Sequence, residues 1–171
     1  MFSSILSSLG LNSKIATIGF WGPDVSEITT LVHALKTGEY QPTTQPSIYP
    51  TYEKLTADKV SITAAIPSAN EAMRRSFTGN LASQDGLVYV LNTRTSPDLA
   101  QAKSELNTLL TDPEFAAKSI LVLATSDMKD ALGLQNALSE RADKVAFFTY
   151  TLGPETFEGY PEGLKWLVER L

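Results

Sequence analysis

Short apolar runs alternate with helix-patterned segments from Lys14 to the C-terminus, and that alternation constrains the fold more than any other feature. Lys14–Phe20 is apolar and stops at Gly22-Pro23, the pattern of a buried strand ended by a turn. Ser26–Lys36 places Ile28, Leu31, Val32 and Leu35 on one helical face and closes at Gly38. Gly38–Pro50 is rich in Pro and Thr and predicts a long loop. Thr51–Thr56 and Lys59–Ile66 flank Ala57-Asp58 and predict a hairpin. Pro67-Ser68 opens a helix near Asn70–Gly79. Gly86–Asn92, Ser119–Thr125 and Val145–Thr151 are further strands. Between and after them, helices are expected from Ser96-Pro97-Asp98 to about Leu110, with Ser as N-cap and Pro at the first position, then over Ala131–Glu140 and Pro161–Leu171. Strands that are apolar throughout need both faces covered. The expectation is a three-layer α/β domain around a central, mostly parallel sheet of six strands, with the hairpin supplying one antiparallel edge strand.

Composition narrows what such a domain can do. The 171 residues suffice for one core, burying about 68–70% of the unfolded surface. Nineteen acidic against 14 basic side chains give a net charge of −5, so nucleic acid is not an expected partner. The absence of cysteine removes disulfides, thiolate metal sites and cysteine nucleophiles. The single histidine, His33, removes a multi-histidine cage and a Ser/His/Asp triad, and it reads as a surface or packing residue. No apolar run approaches the ~20 residues of a membrane-spanning helix.

Residues 1–13 form a unit of their own: Phe2, Ile5, Leu6 and Leu9 recur at helical spacing opposite serines, predicting a short amphipathic helix that ends near Gly10. No basic flank or long apolar run marks it as a secretory signal. Two readings stay open, a helix offered to a membrane surface or a partner's groove, and a helix packed on its own domain.

Five stretches of the chain resemble the small GTPases of the Arf/Sar type. They are Lys14–Gly19 (KIATIG), Thr29–Leu31 continuing through Leu35–Glu39, Pro46–Thr56 (PSIYPTYEKLT), Lys103–Asp112 (KSELNTLLTD) and Gly159–Leu167 (GYPEGLKWL). They occur in the family's order and spacing, behind an amphipathic N-terminal helix. The resemblance implies a G domain over residues 14–171, with a phosphate loop, two switch segments, a magnesium ion and a guanine site.

The motifs that carry that chemistry are eroded in this sequence. A phosphate loop of the form GxxxxGK[ST] needs backbone N–H groups, a flexible glycine and a lysine cation. Aligned on the following helix, Gly22 takes the first glycine position, Glu27 the second, Ile28 the lysine and Thr29 the magnesium-ligating hydroxyl; aligned on the preceding strand, Gly19 comes first with about three inserted residues, and neither alignment supplies the lysine. Asp24 and Glu27 would face triphosphate charge, and Pro23 lacks a backbone donor. Ser47 corresponds to the switch I threonine. In D-x-G-G-Q/H of switch II, Ile66 replaces the aspartate, Ala69 the γ-phosphate-sensing glycine and Asn70 the residue that orients water. The guanine motif N-K-x-D becomes Thr125-Ser126-Asp127-Met128, and the last guanine loop lies around Thr149–Thr151.

Losing the lysine, the switch aspartate and the guanine motif together leads to an expectation of no GTP hydrolysis and no cofactor. The chain would act as a non-catalytic pseudo-GTPase, a scaffold subunit bound to protein partners in a larger assembly. Two alternatives are a divergent GTP/GDP switch with Mg2+ in membrane trafficking, and a peripheral membrane adaptor working through the N-terminal helix. Contact candidates are Phe2, Ile5, Leu6, Leu9, Tyr49 and Tyr52, and the expected location is intracellular, cytoplasmic or at a membrane surface. Trp21 either fills space vacated by a nucleotide, the favoured reading, or anchors a partner. Arg74-Arg75 reads as a solvated pair.

Overall fold

A computed structural model describes residues 2–6, 13–57, 59–95 and 98–171. The chain begins with helix α1 (Phe2–Leu6), then strand β1 (Lys14–Trp21) and helix α2 (Val25–Thr37). Strands β2 (Thr51–Ala57) and β3 (Val60–Ile66) follow, then α3 (Glu71–Leu81), β4 (Gly86–Leu91) and α4 (Leu99–Thr111). After β5 (Ser119–Ala124) come α5 (Gln135–Glu140), β6 (Val145–Thr149), a small hairpin of β7 (Thr151–Gly153) and β8 (Thr156–Glu158), and α6 (Tyr160–Val168).

The six-stranded sheet runs β2-β3-β1-β4-β5-β6. β1 pairs in parallel with β3 and β4, β4 with β5, and β5 with β6. Only the edge strand β2 is antiparallel, with Thr51 opposite Ile66 and Ala57 opposite Val60. The expected fold class therefore holds. Its physical basis is visible in β4 (GLVYVL) and β5 (SILVLA), where every residue is buried because helices cover both faces. On one face Ile18, Phe20, Ile28, Leu31, Leu35, Tyr160 and Leu164 pack together, joining α2 and α6 to the sheet. On the other, Trp21, Phe77, Tyr89, Leu106 and Phe115 join α3 and α4 to it.

Helix α1 belongs to the first of these cores. Phe2 and Leu6 are buried there and Ile5 packs partly against it. These three side chains therefore take the packed reading and correct the expectation of a presented contact face; Leu9 and Gly10 lie outside the described residues. Among the described residues, no helix is long and apolar enough to cross a membrane.

Several boundaries differ from the sequence reading for local reasons. Asp98, not Ser96, caps α4, its side chain accepting from Gln101 N at 3.0 Å; Ser96 and Pro97 lie outside the described residues. Residues 131–133 form a turn and α5 starts only at Gln135, without a side-chain cap. The last strand stops at Thr149 because the backbone turns at Tyr150 into the β7–β8 hairpin.

Candidate functional site

The connections leaving β1, β3, β4, β5 and β6 emerge at the carboxyl ends of the parallel strands, where open α/β sheets bind ligands. Three residues, Gly22, Pro23 and Asp24, join β1 to α2. Gly22 has φ 150°, and a Cβ there would lie 2.2 Å from the Val90 carbonyl oxygen. The strand-to-helix turn is thus seated against β4.

Asp24 of this turn and Glu27 of the first turn of α2 are both engaged within the protein. Asp24 caps α2, accepting from Glu27 N at 3.2 Å, and its other oxygen accepts from Thr95 Oγ1 at 2.9 Å. Glu27 accepts from the Tyr150 hydroxyl at 2.6 Å. One bond ties α2 to the loop after β4 and the other ties it to the loop after β6. Neither contact was legible in the sequence, since Thr95 and Tyr150 lie far along the chain and carry no motif. The only signal was negative, two carboxylates in a loop where phosphate would demand cations.

The other implied site residues fall into groups. Thr29 donates to Val25 O at 2.8 Å, which leaves its oxygen lone pairs unused by that bond. Thr29, Ser47 and Ile66 line one pocket, together with Val25, His33, Lys36 and Glu53. The structure thus brings together the positions that the resemblance links to magnesium. Ser47 Oγ accepts from Tyr49 N at 3.1 Å, and Ser47 O accepts from Ala69 N at 2.8 Å. Ser68 Oγ donates a short hydrogen bond to Ile48 O and accepts from Asn70 N, so the segments at 47–49 and 68–70 are laced to each other.

Ile28 is fully buried in the core, so the lysine position supplies no group to a ligand. Asn70 is the N-cap of α3, its side chain accepting from Met73 N at 3.2 Å. A capping amide is held by that bond, not aimed at a water. Thr125 Oγ1 accepts from Thr93 N and shares a 2.9 Å contact with Thr93 Oγ1, while Met128 packs against the α3–α4 core. The two are therefore separated in role. Asp127 pairs with Lys129 at 3.7 Å beside a pocket lined by Phe147, Thr149 and Gly159. Tyr49 and Tyr52 are exposed, and Tyr52 accepts a hydrogen bond from Asn80 Nδ2 at 3.1 Å.

Of two further residues at the site, Trp21 keeps the favoured buried reading and Arg74 departs from expectation. Trp21 belongs to β1 and is buried, its ring stacked on Phe77 at 6.1 Å, so it is not an exposed anchor. Arg74 is not solvated: its guanidinium lies 4.2 Å over Trp21, donates to Gly22 O at 2.6 Å and pairs with Glu105 at 3.1 Å. Arg75 keeps the expected surface position, paired with Glu71 one helical turn away.

Burial holds the hydroxyls of Tyr150 and Tyr89 protonated well above the ordinary tyrosine range, and the neighbouring Glu27 and Glu105 carboxylates add to the effect. A folded pKa above the unfolded value means that the native state binds more protons. The resulting stability is complete below about pH 10 and falls above it, by up to about 1.4 kcal/mol per pH unit for each tyrosine. Urea midpoints between pH 9 and 11 should fall, and fall less steeply in Tyr150→Phe; an identical slope in that variant would contradict the assignment.

Comparison with known proteins supplies the family. The ADP-ribosylation factor family model matches residues 2–171. The small COPII coat GTPase SAR1 of Nicotiana tabacum is 35% identical over 122 residues, covering 71% of this chain and 61% of that protein. The small COPII coat GTPase SAR1 of Giardia intestinalis is 26% identical over 186 aligned residues, covering 99% of this chain and 97% of that protein. Among solved structures, the Arl6 BBS3 small GTPase of Trypanosoma brucei with bound nucleotide analogue GppNp is similar, with TM-score 0.67 and 17% identity over 91% of this chain and 96% of that one. The last likeness supports the small-GTPase fold. These matches correct the two negative expectations, that the chain is no enzyme and takes no cofactor. The curated relatives are GTPases by name, and eroded motifs do not amount to demonstrated loss of activity. With the match running from residue 2 to residue 171, the chain belongs to the ADP-ribosylation factor family.

Proposed function

We propose that the chain is a GTP- and GDP-binding switch that acts in membrane trafficking, with nucleotide contacts that depart from the family's usual set. The observation that carries this reading is the gathering of the implied site positions at one end of the sheet. The loops after β1, β4, β5 and β6 are stitched there by Asp24–Thr95, Glu27–Tyr150 and Thr93–Thr125. The coat GTPase name of the relatives supports the trafficking part.

Set against a nucleotide, the residues present fit in part. The β1–α2 turn offers no cation of its own, and Asp24 already fills the N-terminus of α2. The hydroxyls of Thr29 and Ser47 are suited to a magnesium ion and share a pocket. A buried guanidinium, that of Arg74, reaches the turn from α3 and has an unpartnered buried donor, Nε. A bound magnesium ion would neutralise phosphate charge; the chain's own part is to hold the phosphates with side chains drawn from several loops. Exposed Tyr49 and Tyr52, beside the laced segments at 47–49 and 68–70, form the face offered to protein partners.

The test is release and rebinding of nucleotide. Denaturing the purified native protein and chromatographing the supernatant should yield GDP or GTP. A thermal melt with magnesium and nucleotide should shift upward, since ligand at 100 times its Kd adds about 2.7 kcal/mol. An empty protein together with a flat melt at millimolar nucleotide would overturn the reading.

A further inference from the structure

We propose that Arg74 is the cation that meets phosphate at this site, supplied from α3 in place of a lysine in the β1–α2 turn. The inference rests on the nucleotide-switch reading. Between Ile15 and Val32 the chain has no lysine or arginine, so the turn and the first half of α2 cannot neutralise a phosphate. The same stretch contributes Asp24 and Glu27, which makes an external cation more necessary. Arg74 arrives from 52 residues away and donates to the carbonyl of Gly22, the first residue of the turn.

The present partners of the guanidinium explain how it is kept there. Glu105 on α4 pairs with it at 3.1 Å, and both side chains are largely buried, 18% and 15% exposed. Glu105 is itself fixed by the Tyr89 hydroxyl at 3.0 Å and by Gln101 Nε2 at 2.9 Å. Trp21 supports the flat face of the fork. The arrangement leaves Nε buried without a partner, a donor whose desolvation is uncompensated. A buried guanidinium requires an anion. Exchanging Glu105 for a phosphate oxygen keeps that requirement met, and a turn of the fork gives its donors a bidentate acceptor. Glu105 then acts as the resting counter-ion and the phosphate as the competing one.

The experiment titrates the full-length protein with a fluorescent GDP analogue in the presence of magnesium. Arg74→Ala should bind about 10–100-fold more weakly, the cost of losing a charged hydrogen-bond pair. Glu105→Gln, which removes the competing charge, should bind more tightly than wild type. In parallel, the Nε–Hε resonance of Arg74 in 15N-labelled wild-type protein should shift when GDP is added. Equal affinity of wild type and a folded Arg74→Ala would overturn this inference alone. If Arg74→Ala does not fold, an unmoved resonance or unchanged binding by Glu105→Gln would overturn it. A wild-type protein that takes no nucleotide would overturn both this inference and the switch reading beneath it.

Discussion

Gly22→Ala is expected to lower the stability of the domain by about 3–5 kcal/mol, at the upper end of single-residue effects. The added Cβ would sit 2.2 Å from the carbonyl oxygen of Val90, with that residue's backbone carbon and nitrogen next in line. Those atoms belong to β4, which is paired with both β1 and β5, so the obstacle is backbone held in the middle of the sheet. A side-chain tip could swing aside; a central strand cannot. The φ of 150° adds strain for any residue with a side chain. Relief requires β1 and β4 to separate at Trp21 opposite Tyr89, which also displaces the β1–α2 turn. Urea unfolding of the variant measures the loss. Gly79→Ala is the control, because nothing lies within 4 Å of a Cβ there and α3 should gain about 0.5–1 kcal/mol. A loss below about 1 kcal/mol for Gly22→Ala would show that the turn is free to move away from β4.

The second large effect is expected at Trp21. Trp21→Ala should cost about 3–5 kcal/mol, the usual range for emptying a buried aromatic position. The indole is 5% exposed, stacked at 11° on Phe77 and covered by Arg74. Its removal leaves a cavity between α3 and the sheet and strips the guanidinium of its aromatic support, worth about 0.5–2 kcal/mol alone. Trp21→Phe should lose much less, since a ring still fills the space between Phe77 and Arg74. Unfolding can be followed through the fluorescence of Trp166, the other tryptophan of the chain. An alanine variant within about 0.5 kcal/mol of wild type is what an exposed anchor would give, and it would contradict the packing described.

The same side chain marks where sequence reasoning stops. Trp21 was legible as an unexpected aromatic beside the phosphate-loop position, but its direction was not. Alternation along β1 sends Ile18 and Phe20 to the α2–α6 core and Trp21 to the α3–α4 core. Knowing that requires knowing that β1 continues to residue 21 and that α3 lies behind it. The adjacent Arg74-Arg75 pair shows the same limit. Two neighbouring arginines on a helix point about 100° apart, and only the packing of α3 on the sheet decides which one is drawn inward. Motif erosion led to the expectation of no enzyme and no cofactor, which the family match overturns. Absence of the usual lysine and aspartate describes those positions, whereas binding depends on whatever groups the fold carries to the same place.

Apolar periodicity by itself determined the α/β class, the buried central strands and the antiparallel edge strand, because burial on one face or two is written in the spacing of side chains along a strand. The resemblance to the Arf/Sar GTPases came from five specific stretches of sequence, and family membership from the match over residues 2–171. Tertiary structure alone decided that α1 tucks Phe2 and Leu6 into the core, that Tyr150 and Thr95 hold the carboxylates of the turn, and that Arg74 stands beside Gly22. Those contacts join residues 52 to 123 positions apart. Local pattern carries no information about such pairs, since their meeting depends on how helices pack across the sheet and how far each side chain reaches once they have.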